Sequence, residues 1–488
     1  MTQLHDAQRR QLLLTGISLL GLPLLDACGG SGGNDAPIDE PGGPVDPTPA
    51  THPPRALHAS FTDDPTTTRT VSWFTDGLDD PGSVIEYGPV DAGMSAEEIA
   101  NAPFPARAEG VSKSVYGVDA LTHSAVATAV PADRAMRYRV GSTKGWSAVQ
   151  LLQPAPASGF RFVHFGDHAT NAASRAVVQA VAARQPDFVL IAGDLSYANG
   201  DQAVWDQYFA MLEPLASGYP VMTAPGNHEA KDGGGEGYRS RLAQPGNITW
   251  YAFDYQNVHY FFSTGGSLVD GLAGAGDLAA ELLAIELDLA QAALRRARGE
   301  IDFIIFVQHY PIWTDEDGRD PADFTLVLLE EQFLLRYGVD LLLVGHDHIY
   351  ERSKPMAYGR PLDGGYVQVT QGGGGQDLYT ILPQLASWSA FATVRYGFSE
   401  YQVQGQTISI NSHAIDDEKN QLLAGGATQI IDRFEVASRN SAARLAYARP
   451  ARAKNELLKN LDAIIRHTQR RNAFHDAVES GAVVVPAI

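Results

Sequence analysis

Between Phe160 and His348 the chain alternates two textures. Short apolar runs, "FRFVHFGD", "DFVLIAGD", "YPVMTAPGNHE", "IDFIIFVQHYP" and "VDLLLVGHDH", are separated by segments with helical spacing. These are "AASRAVVQAVAARQP", "AVWDQYFAMLEPLAS", "DLAAELLAIELDLAQAALRRAR" and "DFTLVLLEEQFLLRYG". Runs so uniformly apolar fit strands buried on both faces. Their alternation with helices predicts parallel β-α-β units, because neighbouring parallel strands need a crossover connection.

The runs end on polar side chains. Asp167 closes the first, and Asp194 the second, with Tyr197 three residues on. Asn227 and His228 follow the third, His309 the fourth, and His346 and His348 the fifth. Ligands of open α/β sheets bind outside the carboxyl ends of the strands, so these groups are expected to converge. Gly166, Gly193, Gly226 and Gly345 stand where the strands end, and are expected to permit tight turns. Carboxylates, imidazoles, an amide oxygen and a phenol, with no thiolate, suit iron, zinc or manganese. Asp194 has two oxygens and is able to bridge two ions. Two ions about 3.5–4 Å apart activate water and clamp a phosphoryl group in an in-line displacement. Each motif alone is weak: Tyr197 also fits a residue packed under its turn, and a lone strand-end histidine is more often structural. The ordered set points to a metal site.

The charge balance bears on that site. The 488 residues carry a formal charge of −21, which argues against a nucleic-acid surface and is accounted for by solubility alone. A site for anionic substrates then needs local positive charge, such as metal ions. With 44% apolar and 19% charged residues, the chain is long enough for a large core.

From about Arg55 to Pro154 the runs "TRTVSWFT", "SVIEYG", "HSAVATAV" and "MRYRVGS", broken by turns such as "DDPG" and "STKG", predict a small antiparallel sandwich. Trp73 is expected in its core. After Tyr350, "YVQVTQGGGG", "YGFSEYQV" and "TISINSHA" predict a second sheet or edge strands, and "NELLKNLDAIIRHTQRR" a surface helix. The expected domains are a sandwich over 55–154, a catalytic domain over 158–420 and a partly helical tail over 421–488.

The set "GD…GDLSY…GNHE…VQH…GHDH", with "GDLSYA" and "GHDHIYER" close to the family's own wording, resembles the metallophosphoesterases, and specifically the purple acid phosphatases. The resemblance covers about residues 55–415 and includes a fibronectin type III-like N-terminal sandwich ("VSWFT", "YGP") and the "TQGGGG" turn. It implies an all-β sandwich followed by an α/β metallophosphoesterase domain, a four-layer α-β-β-α sandwich. It also implies a dinuclear-metal phosphatase that hydrolyses phosphate monoesters by metal-hydroxide attack on phosphorus. By the same resemblance Asp167, Asp194, Tyr197 and His348 hold Fe3+. Asp194, Asn227, His309 and His346 hold a second divalent metal (Fe2+, Zn2+ or Mn2+), and His228 contacts substrate and acts as acid. Most metallophosphoesterases place a histidine two residues after the first aspartate. Here that position is Ala169, which agrees with a phenolate at Tyr197 taking its place. The plant-like enzymes carry further histidines about ten residues past the "VQH" motif; here that stretch is "TDEDGRD", and Arg319 or Asp315 is expected in the space. His168 is read as bland or substrate-facing, and His164, His259 and His413 as structural. A phosphodiesterase of the same fold and a non-catalytic surface binding protein are the alternatives.

The N-terminus, "QRRQLLLTGISLLGLPLLDACGGSGG", has a basic head and an apolar stretch too short and too broken for a stable span. It resembles a bacterial export leader of twin-arginine type. "LDAC" resembles a lipoprotein cleavage site at Cys28, with Asp26 a poor match; a secreted chain with a chance cysteine is the alternative. Residues 1–28 are thus expected to export the protein to the envelope, periplasm or cell surface. Residues 29–54, rich in Gly, Pro, Ser and Asp, are expected to form a flexible tether. A phosphate ester is the expected partner, and any membrane contact would run through the lipid on Cys28.

Overall fold

The computed structural model describes residues 51–265 and 275–439. The leader with Cys28, nearly all of the tether and the Arg- and Ala-rich helix expected near the C-terminus lie outside the described residues.

The first part is a two-sheet antiparallel sandwich. One sheet orders its strands Arg55–Ser60, Thr68–Asp76, Ala120–Thr128 and Val111–Ser114; the other is built on Ala106–Glu109, Val84–Pro89 and Met136–Ser142. Trp73 is fully buried between them and stacks on His123, with ring centroids 5.3 Å apart.

The second part holds two larger sheets face to face. In the six-stranded sheet, Phe160–Phe165, Phe188–Ala192 and Val221–Ala224 run parallel, and Gly397–Gln404, Thr407–Ala414 and Gln429–Ala437 extend it antiparallel. In the seven-stranded sheet, Val258–Phe262, Phe303–Val307, Leu341–Val344 and Val367–Gln371 run parallel. Strand alternation sorts the side chains. Phe160, Phe162, Phe188 and Leu190 face Phe303, Ile305, Leu341 and Leu343 across the gap between the sheets. The intervening residues face outward: Val163, Phe165, Val189 and Ile191 pack under helices Ala172–Ala182 and Gln202–Ala216. Ile304, Phe306 and Leu342 pack under Ala275–Ala297 and Glu331–Tyr337. The result is the α-β-β-α layering expected.

Two features depart from expectation. The strand Gln429–Ala437 pairs along its length with Thr407–Ala414, so the six-stranded sheet runs past the boundary placed at residue 420. It was hard to read because most of its side chains are at least partly exposed, which leaves no apolar run. The seven-stranded sheet also begins with a hairpin, Tyr251–Tyr255 and Val258–Phe262, whose second strand is the first of the parallel strands. Among the described residues no helix is long and apolar enough to cross a membrane.

Candidate metal centre

The parallel strands of both sheets end at one place, and the backbone turns sharply there. Asp167, Asp194, Tyr197 and His346 have φ of 58°, 52°, 57° and 71°. Non-glycine residues avoid this left-handed region, at a cost of about 1–3 kcal/mol each, and persist in it only when surrounding bonds over-determine them. Those bonds are present. The amides of Asp167, His168 and Ala169 donate to the carbonyls of Gly193, Asp194 and Leu195 at 3.1, 3.0 and 2.9 Å, which zips the first two loops together. The expected role of the glycines is therefore corrected. Gly193 does turn left-handed (φ 86°), but Gly166, Gly226 and Gly345 do not. Gly226, at φ −112°, is needed for close approach, because a Cβ there would collide with the Asp194 carboxylate.

Asp167, Tyr197 and His348 form one cluster. The Tyr197 hydroxyl lies 3.2 Å from Asp167 Oδ1 and 3.0 Å from His348 Nε2, and that nitrogen is 3.3 Å from Asp167 Oδ1. The other atoms of these groups are tied back: Asp167 Oδ2 accepts from the His346 amide at 2.7 Å, and His348 Nδ1 donates to the Asp377 carbonyl at 2.6 Å. The tautomer of His348 is thereby set with Nε2 as a lone pair facing the cluster.

Asp194, Asn227, His309 and His346 form the second. His309 Nε2 lies 3.1 Å from each of Asp194 Oδ2, Asn227 Oδ1 and His346 Nδ1. His309 Nδ1 donates to the Ala192 carbonyl at 2.8 Å, and Asp194 Oδ1 accepts from the His228 amide at 2.9 Å. Asp194, His309 and His346 bring one ligand atom each within 4.8 Å of one another, and all three are buried. Asp194 Oδ2 is buried with no hydrogen bond. Buried polar atoms are nearly always satisfied, so an orphan carboxylate oxygen amid nitrogen and oxygen donors fits a cation.

The electrostatics agree. Burial raises the Asp167 carboxyl, and His348 and His309 offset this only in part. At Asp194 burial also pushes upward, but His309, then His228, outweigh it and hold the carboxyl far below its usual range. Burial alone would lower the His309 imidazole; Asp194, then Asp167, carry it up to about 9. Two carboxylates buried together favour positive charge beside them, which a metal ion can supply in place of a proton.

His228 borders the second cluster, with Nε2 3.9 Å from Asp194 Oδ2. Its Nδ1 is 2.7 Å from Asn199 Oδ1, and its ring lies 4.1 Å from the Tyr197 ring, centroid to centroid. Of the two residues expected beyond the "VQH" motif, Arg319 reaches the site: its Nη1 is 2.7 Å from His346 Nε2, and its Nε is 2.7 Å from Glu316 and 3.0 Å from Asp347. Asp315 does not; its carboxylate accepts from the Ala386 amide. His168 is buried under Tyr208 and 3.1 Å from the Ser174 carbonyl, so it is structural and not substrate-facing. His164, His259 and His413 lie within the sheets, outside both clusters.

Glu229 is the residue that sequence reasoning missed. Its carboxylate accepts from the amides of Asp194 and Leu195, both at 2.9 Å, and of Gly226 at 2.8 Å. It fastens the loop of Asp194 to the loop of Asn227. The signal was present: a glutamate three residues after the cap of the short helix Asn227–Ala230 is half of a capping box.

Residues 160–350 match the family described as calcineurin-like phosphoesterase, and residues 54–152 match the purple acid phosphatase N-terminal domain. Acid phosphatase type 7 of Homo sapiens is 26% identical over 422 residues, covering 76% of this chain and 89% of the human protein. Probable inactive purple acid phosphatase 27 of Arabidopsis thaliana is 30% identical over 245 residues, covering 43% of this chain and 38% of that protein. Among solved structures, the purple acid phosphatase PPD1 from yellow lupin (Lupinus luteus) seeds superposes with a TM-score of 0.62 at 19% identity. It covers 83% of this chain and 78% of the lupin chain, a likeness of fold.

Proposed function

We propose that this chain, which belongs to the purple acid phosphatases within the calcineurin-like phosphoesterases, hydrolyses phosphate monoesters at a centre of two metal ions. The observation that carries the reading is Asp194 Oδ2, buried with no hydrogen bond and 3.1 Å from His309 Nε2. Asp167, Asp194, Tyr197 and His348 would hold a ferric ion. Asp194, Asn227, His309 and His346 would hold a divalent one (Fe2+, Zn2+ or Mn2+), with Asp194 shared. Such ions would supply Lewis acidity and activate water.

The protein's own groups do the rest. The tethers on Asp167 Oδ2, Asp194 Oδ1, His309 Nδ1 and His348 Nδ1 fix the ligand atoms before substrate arrives, so little reorganisation accompanies the reaction. His228, held by Asn199 and Tyr197, donates to the oxygens of the transferring group. As the oxygen of water bonds to phosphorus and the ester P–O bond breaks, its electron pair leaves with the alkoxide, which takes a proton from His228 Nε2, and the proton lost by the water restores the imidazole. Export through residues 1–28, with a lipid on Cys28, would place this activity outside the cytoplasm.

The test is hydrolysis of p-nitrophenyl phosphate and bis(p-nitrophenyl) phosphate before and after chelation. The reading predicts that the monoester is the better substrate, that chelation abolishes turnover, and that iron plus a divalent metal restores it. Preferential cleavage of the diester would make the protein a phosphodiesterase. Turnover of neither by metal-replete protein would leave a surface binding protein.

A further inference from the structure

Past His228 the site is bordered by a second basic group. The Lys231 ammonium lies 3.4 Å from His228 Nε2, the same nitrogen that stands 3.9 Å from Asp194 Oδ2. The same imidazole nitrogen thus has both the Asp194 carboxylate and the Lys231 ammonium within 4 Å. Lys231 is exposed, but its backbone is fixed on both sides. Its amide donates to the Asn227 carbonyl at 3.3 Å, and the next residue, Asp232, is buried and bonded to Trp205 and Gln202. The sandwich braces this loop from outside: the Tyr116 ring packs so closely on Gly233 that a Cβ there would collide with it. Lys113 donates to the carbonyls of Arg239 and Leu242, at 2.6 and 3.0 Å, where the loop ends.

We infer that Lys231 is a specificity-determining residue that recognises a second phosphate on the leaving group of the substrate. The inference rests on the phosphatase reading and extends it. If His228 Nε2 meets the leaving oxygen, a donor 3.4 Å from that nitrogen matches an adjacent oxygen of a phosphate chain, each oxygen accepting one hydrogen bond. An ammonium is a compact charge with three donors and no acceptor, suited to a phosphate and indifferent to a neutral aryl or alkyl leaving group. On a chain of net charge −21, such a local cation also offsets the repulsion that a polyanion meets on approach. For inorganic pyrophosphate the oxygen of water bonds to one phosphorus. The bridging P–O bond breaks, its electron pair leaves with the second phosphate, and that phosphate takes the proton.

The experiment compares inorganic pyrophosphate with p-nitrophenyl phosphate as substrates of the metal-replete protein, for wild type, Lys231→Gln and a charge control, Lys144→Gln in the sandwich. The inference predicts that Lys231→Gln lowers the ratio of kcat/KM, pyrophosphate over aryl phosphate, by about tenfold, mostly through KM, and that Lys144→Gln does not change it. Equal loss on both substrates would place Lys231 on the transferring group and overturn the inference, as would no loss. Calorimetric binding of pyrophosphate against orthophosphate gives a readout independent of turnover. If wild type hydrolyses neither substrate, the phosphatase reading fails, and this arm still decides: a pyrophosphate preference lost in Lys231→Gln supports the inference, and one retained overturns it.

Discussion

Asp167, Asp194, Tyr197 and His346 hold left-handed backbone that side chains rarely adopt. That backbone falls on residues to which the proposed centre assigns the metal ions, and the interlocking amides of the first two loops, with Glu229, keep it in place. The place of these residues at the strand ends was legible, because an apolar run ending on Asp or His is a local pattern and Tyr197 follows one three residues on. Their backbone was not, because it depends on bonds between loops far apart in the chain. Arg319 shows the same limit: its position in sequence marked it as an occupant of the site, but its contact with His346 depends on folding. Tyr197 bears on the optical spectrum. The phenol lies beside Asp167 Oδ1 and His348 Nε2, so iron-loaded protein should show a visible tyrosinate charge-transfer band. Tyr197→Phe keeps the ring and removes the donor oxygen. The band should disappear while the protein stays folded; an unaltered band in the iron-loaded variant would make Tyr197 a packing residue.

Among the elements, the hairpin Tyr251–Phe262 is fastened to the long helix Ala275–Ala297 by ionised groups. His259 Nδ1 is 2.9 Å from Asp254 Oδ1 and its Nε2 is 2.6 Å from Asp288 Oδ1. Burial opposes charge on this imidazole, but Asp288 and then Asp254 outweigh it and raise it to about 9. A pKa raised above the unfolded value near 6.5 gives stability that is complete below that pH and lost as pH rises through 9. The loss should be on the order of 2 kcal/mol, given that both aspartates are partly exposed. Urea unfolding at pH 6 and pH 9.5 should show wild type losing this increment and His259→Gln not losing it; equal losses in the two would remove the pair from the account. The parallel strands and their helices were readable because a strand buried on both faces is an unbroken apolar run. Gln429–Ala437 is an edge strand with few buried residues, and its pairing could not be read from its own composition.

For the molecule as a whole, the sandwich and the catalytic sheets share a hydrogen-bonded boundary. Tyr138 donates to the Ser217 carbonyl at 2.7 Å, at the end of helix Gln202–Ala216. Thr122 donates to the carbonyl of Ser240 at 2.8 Å and Ser60 to that of Ala243 at 2.6 Å, so the sandwich grips the segment that leads away from His228. Its presence was legible from turn spacing; its hold on that loop was not, because the partners lie more than a hundred residues away. The net charge of −21 leaves the acidic chain in need of positive charge wherever it binds an anion, and the account assigns that charge to metal ions at the strand ends. Metal content per chain tests this most directly. Purified protein loaded with iron and a divalent metal, then gel-filtered, should retain two ions per chain, and Asp194→Ala, which removes the shared ligand, should retain one or none. Retention of two ions by a folded Asp194→Ala variant, or of fewer than two by wild type, would contradict the dinuclear centre.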